Sequence, residues 1–269
     1  MSKKVAFPII IIVFLSACTG YQKVLKSDDS ELKYSKAIEY YENEDYARAM
    51  TIFEDLVPVY RGTDRADDIQ YYYAYCQYHQ NDYILAGYYF RNFAQTYPKS
   101  KYAQDCQFMG AYCYYLDSPR ACLDQSNTYS AIKELQLYIS RYPKSDRVEK
   151  CNTLIDALRH KLEKKSYDNA KLYYDLGYYK AAGVALQNSL EEYPDSDYRE
   201  KLLYYLVKSY FELAENSIIK KQEERYKKTL KFYEKFKEEF PESKYDREIN
   251  KIHKKTKKAL ETFAEISDV

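Results

Sequence analysis

The sequence predicts an all-α chain, about five helical hairpins in a row behind a short N-terminal segment of different character. Three observations carry that expectation. Only 6 Gly and 7 Pro are spread over 269 residues, too few to turn the many short strands of a sandwich or barrel. A phrase of aromatic, Pro, any residue and Ser returns four times, with its prolines at Pro98, Pro143, Pro194 and Pro241, spaced 45, 51 and 47 residues apart. Small residues stand at fixed distances before those prolines, which makes the spacing a structural repeat. The balance of 42 Lys plus Arg against 41 Asp plus Glu leaves a formal charge of +1, which excludes a nucleic-acid polyanion as the main partner. With 46% apolar residues and a mean hydropathy of -0.71, the bulk of the chain can build a core in water.

The first element is an address. Lys3 and Lys4 precede an apolar run from Val5 to Leu15, then Ser16, Ala17 and Cys18. The run is shorter than the roughly 20 residues a membrane-spanning helix needs, and its layout is that of a secretory signal. Leu15-Ser16-Ala17-Cys18 resembles the lipobox of bacterial lipoproteins, in which the signal is cut before the Cys and the thiol and the new amine carry acyl chains. The resemblance implies a signal peptide over 1–17 and a lipid anchor on Cys18. Thr19 is not the Asp of an inner-membrane retention signal, and Gly20 to Lys26 hold no acidic cluster, so the outer membrane, periplasmic side, is the expected address. Residues 18–30 show little apolar periodicity and are expected to be a tether.

The hairpins follow. In each returning phrase the aromatic residue closes a helix, Pro forbids its continuation, and Ser offers a capping oxygen to the next helix. Twelve residues before Pro98, Pro143 and Pro194 stand Ala86, Ala131 and Ala182, and four later in each case Phe90, Leu135 or Leu186. Twelve further upstream are Ala74 and Ala170, and Ala37, Ala49 and Phe53 mark an earlier unit that ends at Tyr60-Arg61-Gly62 without the Pro. Ala111 and Ala131 are 20 apart, which places an insertion around Ser118 to Asn127; Ser209 and Thr229 show the same excess across the charged stretch Lys220 to Lys228. Small residues let antiparallel helices approach, and the large residue fills the gap beside them. Small, small, aromatic and Pro in this order resemble the tetratricopeptide repeat. That resemblance implies repeats one to three over 31–143 and repeats four and five with a capping helix over 144–269. Between Ser145 and Tyr174 the helical pattern runs longer than one repeat needs, which predicts a long helix joining the first three units to the last two.

No Walker loop, Gly-x-Ser-x-Gly, His-Glu-x-x-His or dinucleotide glycine run is present, so an enzyme and a cofactor are not expected. His79, His160 and His253 are scattered and make a poor metal set. Beyond Cys18 the cysteines are Cys76, Cys106, Cys113, Cys122 and Cys151, an odd number. Cys76 and Cys113 stand at equivalent places two residues after Ala74 and Ala111, as small packing residues do. Lys251, Lys254, Lys255, Lys257 and Lys258 alternate with Ile249, Ile252, Ala259 and Phe263 at helical spacing, the solvated face of a capping helix.

The 35 Tyr are the sharper signal. On helix-turn-helix repeats the inner surface is lined mainly by the first helix of each unit. The register there gives Tyr34, Ile38, Tyr41 and Glu42 in unit one; Tyr71, Tyr75, Tyr78 and His79 in unit two; and Phe108, Tyr112, Tyr115 and Leu116 in unit three. Any one ring can be a packing residue between units. As a set, so many amphipathic rings on one face make an apolar patch that asks for a guest. Tyr34, Tyr41, Tyr71, Tyr75, Tyr78 and Tyr112 are the candidate groove for an extended peptide with aromatic side chains, and a glycan stacked on Tyr is the alternative. Repeat domains that clamp carboxylate tails resemble one another in using Lys and Asn at these places. Tyr71 and Tyr75 stand there instead, which disfavours that ligand class.

A lipobox followed by five degenerate repeats, with Leu158, Leu162, Ala170, Tyr173-Tyr174, Gly177, Tyr178 and Ala181-Ala182 leading to Tyr193-Pro194-Asp195, resembles the BamD family, also called YfiO or ComL. The resemblance implies a non-enzymatic adaptor of the outer-membrane β-barrel assembly machinery. Its N-terminal repeats would receive the aromatic-ended C-terminal signal of unfolded outer-membrane proteins. Its C-terminal repeats would dock on the periplasmic part of a BamA-like barrel protein.

Overall fold

Every regular element of the computed structural model is a helix, and the structure describes residues 20–267. Helix α1 covers residues 20–25. Five hairpins follow: α2 (Ser30–Glu42) with α3 (Tyr46–Val59), α4 (Ala66–His79) with α5 (Tyr83–Thr96), α6 (Ala103–Leu116) with α7 (Ser126–Arg141), α8 (Val148–Asp175) with α9 (Tyr179–Glu192), and α10 (Arg199–Glu215) with α11 (Ile219–Glu239). Helix α12 (Asp246–Ser267) closes the series. The signal segment and Cys18 lie outside the described residues.

The alanine ladder explains the pairing. Ala37, Ala49, Ala74, Ala86, Ala111, Ala131, Ala170 and Ala182 are all buried, and Phe53, Phe90, Leu135 and Leu186 are fully buried beside them. Small side chains bring the helix axes close, and the large neighbours remove apolar surface from water, worth about 1.5–3 kcal/mol each. Helices α5 and α6 approach closely, since a Cβ on Gly87 would stand 3.1 Å from the Cβ of Cys113.

Within hairpins one, two and four the turn is the same three residues, and its middle residue is left-handed: Glu44 (φ 59), Asn81 (φ 62) and Gly177 (φ 79). The N–H of the next residue reaches five back, from Asp45 to Tyr40, Asp82 to Gln77 and Tyr178 to Tyr173, which satisfies carbonyls the helix end leaves open. Asp45 and Asp82 then cap the second helix by accepting from the N–H of Arg48 and Leu85. Hairpin three carries the expected insertion, residues 117–125. Hairpin five differs from expectation: the charged stretch Lys220 to Lys228 is no inserted loop but part of α11, so the excess spacing comes from longer helices of 17 and 21 residues. Pairs four apart, Glu223 with Lys227 at 2.6 Å and Glu224 with Lys228 at 2.8 Å, keep it helical.

The returning phrase has a double role between hairpins. The serine Oγ accepts the N–H two residues on, from Tyr102, Arg147, Tyr198 and Tyr245 at 3.0–3.2 Å. It therefore supports the turn before the helix and not the N-cap position, which Tyr102 and Tyr198 occupy without a side-chain bond. Three of these hydroxyls also donate to the preceding hairpin: Ser100 to Asp67 (2.6 Å), Ser196 to Glu163 (2.9 Å) and Ser243 to Glu200 (2.6 Å). The residue ending the phrase lies on an aromatic ring of that same hairpin. Tyr102 stacks on Tyr71 at 4.0 Å, Tyr198 on Tyr167 at 4.9 Å and Tyr245 on Tyr204 at 4.0 Å. Arg147 takes this place over Phe108 at 4.6 Å, and Arg65 over Tyr34 at 5.1 Å. Each joint thus plants a flat group on the ring before it.

The expected tether is in part structured. Tyr21, Val24 and Leu25 fall on one side of α1 and join the core of hairpin one, with Val24 buried and Tyr21 edge-on to Tyr40 at 5.7 Å. The spacing of three and four residues supplies an apolar face that a short window hides. The chain divides into two compact units, Met1–Pro119 with Asp124–Ile155, and Arg120–Leu123 with Asp156–Val269. The division falls inside α8 and not at 143/144, because Arg147 and Lys150 close hairpin three. The lysine-rich face of α12 is exposed, while Ile249 and Ile252 are buried and Ala259 and Phe263 pack on the same core. Cys76, Cys106, Cys113 and Cys151 are buried free thiols and Cys122 an exposed one. Burial pushes the Cys76 and Cys113 thiols up to about 12, so both are inert packing groups.

Candidate functional site

The first helices of hairpins one to three place most of the candidate tyrosines in one run of rings. Tyr71, Tyr75 and Tyr78 sit one turn apart on α4, with Tyr71 4.8 Å from Tyr75 and Tyr75 6.2 Å from Tyr78. Tyr41 of α2 reaches the run edge-on through Tyr72 at 4.9 Å and His79 at 6.1 Å. His79 itself lies flat on Tyr46 at 4.1 Å, and burial holds its pKa below the usual imidazole value, so it is a neutral aromatic member of the cluster. On α6, Tyr112 stacks between Phe108 at 5.7 Å and Tyr115 at 5.8 Å. Tyr34 is set apart, its ring covered by the Arg65 guanidinium at 5.1 Å.

These rings are half-buried, and their polar ends are used unequally. Tyr75 donates to Asp105 at 2.5 Å and Tyr71 to the same carboxylate oxygen at 3.3 Å. The other oxygen of Asp105 pairs with Arg147 at 2.7 Å. Burial first, and then the Asp105 carboxylate, push both phenols well above their ordinary range, so they act only as neutral donors. Burial opposes the charge on Arg147, and its bond to Asp105 more than restores it. Tyr71, Tyr75, Asp105 and Arg147 are therefore a locked polar knot. Tyr71 has one face taken by Tyr102 and Tyr75 meets Phe90 at 4.8 Å, so these two also serve packing.

Beyond the knot the surface is open. Tyr78 and Tyr112 make no side-chain hydrogen bond among the described residues, and burial raises the Tyr78 phenol. The exposed Lys150 holds its ammonium 4.9 Å from the Tyr112 ring and 5.2 Å from Phe108. The face thus offers ring surface for apolar and aromatic groups, hydroxyls for backbone carbonyls, and a cation at one end for a carboxylate. Asp105, Arg147 and Lys150 are the members that residue spacing missed. Their signal was in the second phrase, where Arg147 stands in place of the tyrosines at 102, 198 and 245. Among the described residues no group of His, Cys, Asp and Glu could hold a metal ion.

The sequence pattern of YfiO, described as outer membrane lipoprotein, matches residues 26–226. The chain belongs to the YfiO family. That match runs from the end of α1 into α11 and includes the whole aromatic face. No curated protein matches. The chain is similar in structure to the tetratricopeptide domain of P58(IPK), with 14% identity, 90% of this chain and 68% of that chain covered, and a TM-score of 0.42. It is also similar to the nearly identical tetratricopeptide-like repeats of a putative kinesin light chain from Podosopora anserina, at 12% identity, 78% and 98% coverage and a TM-score of 0.34.

Proposed function

We propose that this YfiO-family lipoprotein is a periplasmic, non-catalytic adaptor of the machinery that folds and inserts β-barrel proteins in the outer membrane. Hairpins one to three receive the aromatic-ended C-terminal segment of an unfolded outer-membrane protein. Hairpins four and five dock on the periplasmic part of a BamA-like barrel protein, and acyl chains on Cys18 hold the adaptor at the membrane. The observation that carries the reading is the row Tyr75, Tyr78 and Tyr112 ending at Lys150. Aromatic client side chains find ring faces there, and the terminal carboxylate finds an ammonium. The cation comes from the next hairpin, so tyrosines at the usual clamp positions do not disfavour a carboxylate.

Titration of the mature chain with a fluorescent peptide that ends in an aromatic residue tests this. The free-acid peptide should bind more tightly than its C-terminal amide. Tyr112→Ala and Lys150→Glu should each weaken the free acid by about tenfold, the range of an interface anchor. Equal affinity for acid and amide, together with indifference to both variants, would sink the assignment. The folded state of each variant is read from its thermal melt.

A further inference from the structure

The second unit carries an open cavity of about 910 Å³ between the α8–α9 turn and the end of α10. Tyr173, Tyr178, Val184 and Leu213 supply its apolar lining, with the amides of Asn188 and Asn216 at its edge. Tyr178 is 62% and Val184 52% exposed, and Leu176, Ile218 and Ile219 leave further apolar surface bare close by in sequence. A surface of this kind on a water-exposed fold marks a place where something docks.

A second trough of about 320 Å³ shares Lys180, Val184 and Leu213 with the first and continues past Lys221, Arg225 and Lys228. Its one carboxylate, Glu224, is already held by Lys228 at 2.8 Å. Arg225 turns inward to the Leu213 carbonyl and the Ser217 hydroxyl. Lys180 forms no ion pair among the described residues, so the trough has more positive charge than the protein neutralises. An apolar mouth therefore leads into a basic channel.

We propose that this groove docks an extended segment of a protein partner in which a bulky apolar side chain is followed by acidic ones. The apolar side chain fills the mouth at Tyr173, Tyr178 and Val184, and the carboxylates run along Lys180 and Lys221. A neutral glycan could use the ring faces and the two amides but would leave the lysine row idle. The proposal stands on the second unit alone and does not depend on the client reading of the first.

Selection of the mature full-length chain against a random displayed-peptide library, followed by anisotropy titrations of the enriched peptides, tests it. Enriched peptides should pair a bulky apolar residue with two or more acids on one side. Val184→Glu and the double change Lys180→Glu, Lys221→Glu touch exposed positions, and each should weaken binding by about tenfold. High salt should weaken it as well, whereas Tyr112→Ala should leave it unchanged. Enrichment without acids, indifference to both groove variants, or displacement by oligosaccharides would overturn the proposal. Peptides that respond to Tyr112→Ala and not to Val184→Glu would overturn it too, while leaving the client reading of the first unit in place.

Discussion

Hairpins two and five seat their joints on the same register positions with different chemistry. In hairpin two, Tyr71 and Tyr75 face Asp105, three residues past the joint tyrosine Tyr102. In hairpin five, Tyr204 and Lys208 face Glu248, three residues past Tyr245, with Lys208 2.7 Å from the carboxylate. The carboxylate facing hairpin two, Asp105 of hairpin three, draws its cation from the joint after hairpin three, as Arg147. Among the described residues no further joint follows α12, so in hairpin five the cation sits on the same helix as the ring. Lys208 also lies 5.3 Å from Tyr174 and 5.0 Å from Tyr204, a cation enclosed by rings. Burial opposes its charge, and its bonds to Glu248 and Tyr204 more than compensate, so it stays protonated. An internal hairpin can thus keep rings on its face and borrow its charge, whereas a terminal one spends a face position on lysine.

The largest effect should come from breaking the borrowed arrangement. Asp105→Ala leaves two phenols and one guanidinium without their acceptor, and should cost about 3 kcal/mol of unfolding free energy. Glu248→Ala strands one lysine and one phenol at a site whose carboxylate is half exposed, and should cost about 1–2 kcal/mol. Urea unfolding with hydrogen exchange on α4 and α10 separates the two, and equal costs would remove the distinction between internal and terminal hairpins.

Acid sharpens the comparison. The bonds from Lys208 and then Tyr204 hold the Glu248 carboxyl below its usual value. Its contribution is therefore full above the ordinary glutamate pKa of about 4.3 and is lost as pH falls through the lower folded value. Thermal melts of the wild type and Glu248→Gln should converge as pH falls through that window. A gap that stays constant with pH would deny the linkage.

Smaller effects test the joints and turns. Ser243→Ala removes one bond to Glu200 and one to the Tyr245 N–H and should cost about 1 kcal/mol. Glu44→Gly should be worth about 0.5–1 kcal/mol in the stabilising direction, since Glu44 holds the left-handed place that Gly177 fills without strain. A destabilised Glu44→Gly would mean that the side chain has a use beyond the turn.

Most of the fold was legible because its determinants are local. Ala74, Ala86 and Phe90, and the phrase from Tyr97 to Tyr102, lie within about one hairpin of each other, and periodicity finds them. The α1 contact was hidden because three apolar residues in a short segment carry too little periodicity. The charged stretch of α11 read as an insertion because its ion pairs favour helix without adding an apolar stripe. Within the site, the tyrosines were visible as a set. Their division into a locked pair, Tyr71 and Tyr75, and an open pair, Tyr78 and Tyr112, was not, because it depends on Asp105, 30 or more residues away, and on Arg147 beyond it. The Arg65 guanidinium over Tyr34 was not legible either, because the register carries no information on what covers a ring.

The proposed adaptor role meets its most direct test in living cells, by photocrosslinking from single positions. A photoreactive phenylalanine at Tyr112 or Tyr78 should trap a newly exported outer-membrane protein through its C-terminal segment, and one at the exposed Ile84 of α5 should not. Efficient trapping from Ile84 with none from Tyr112 or Tyr78 would contradict the assignment of this face to client chains.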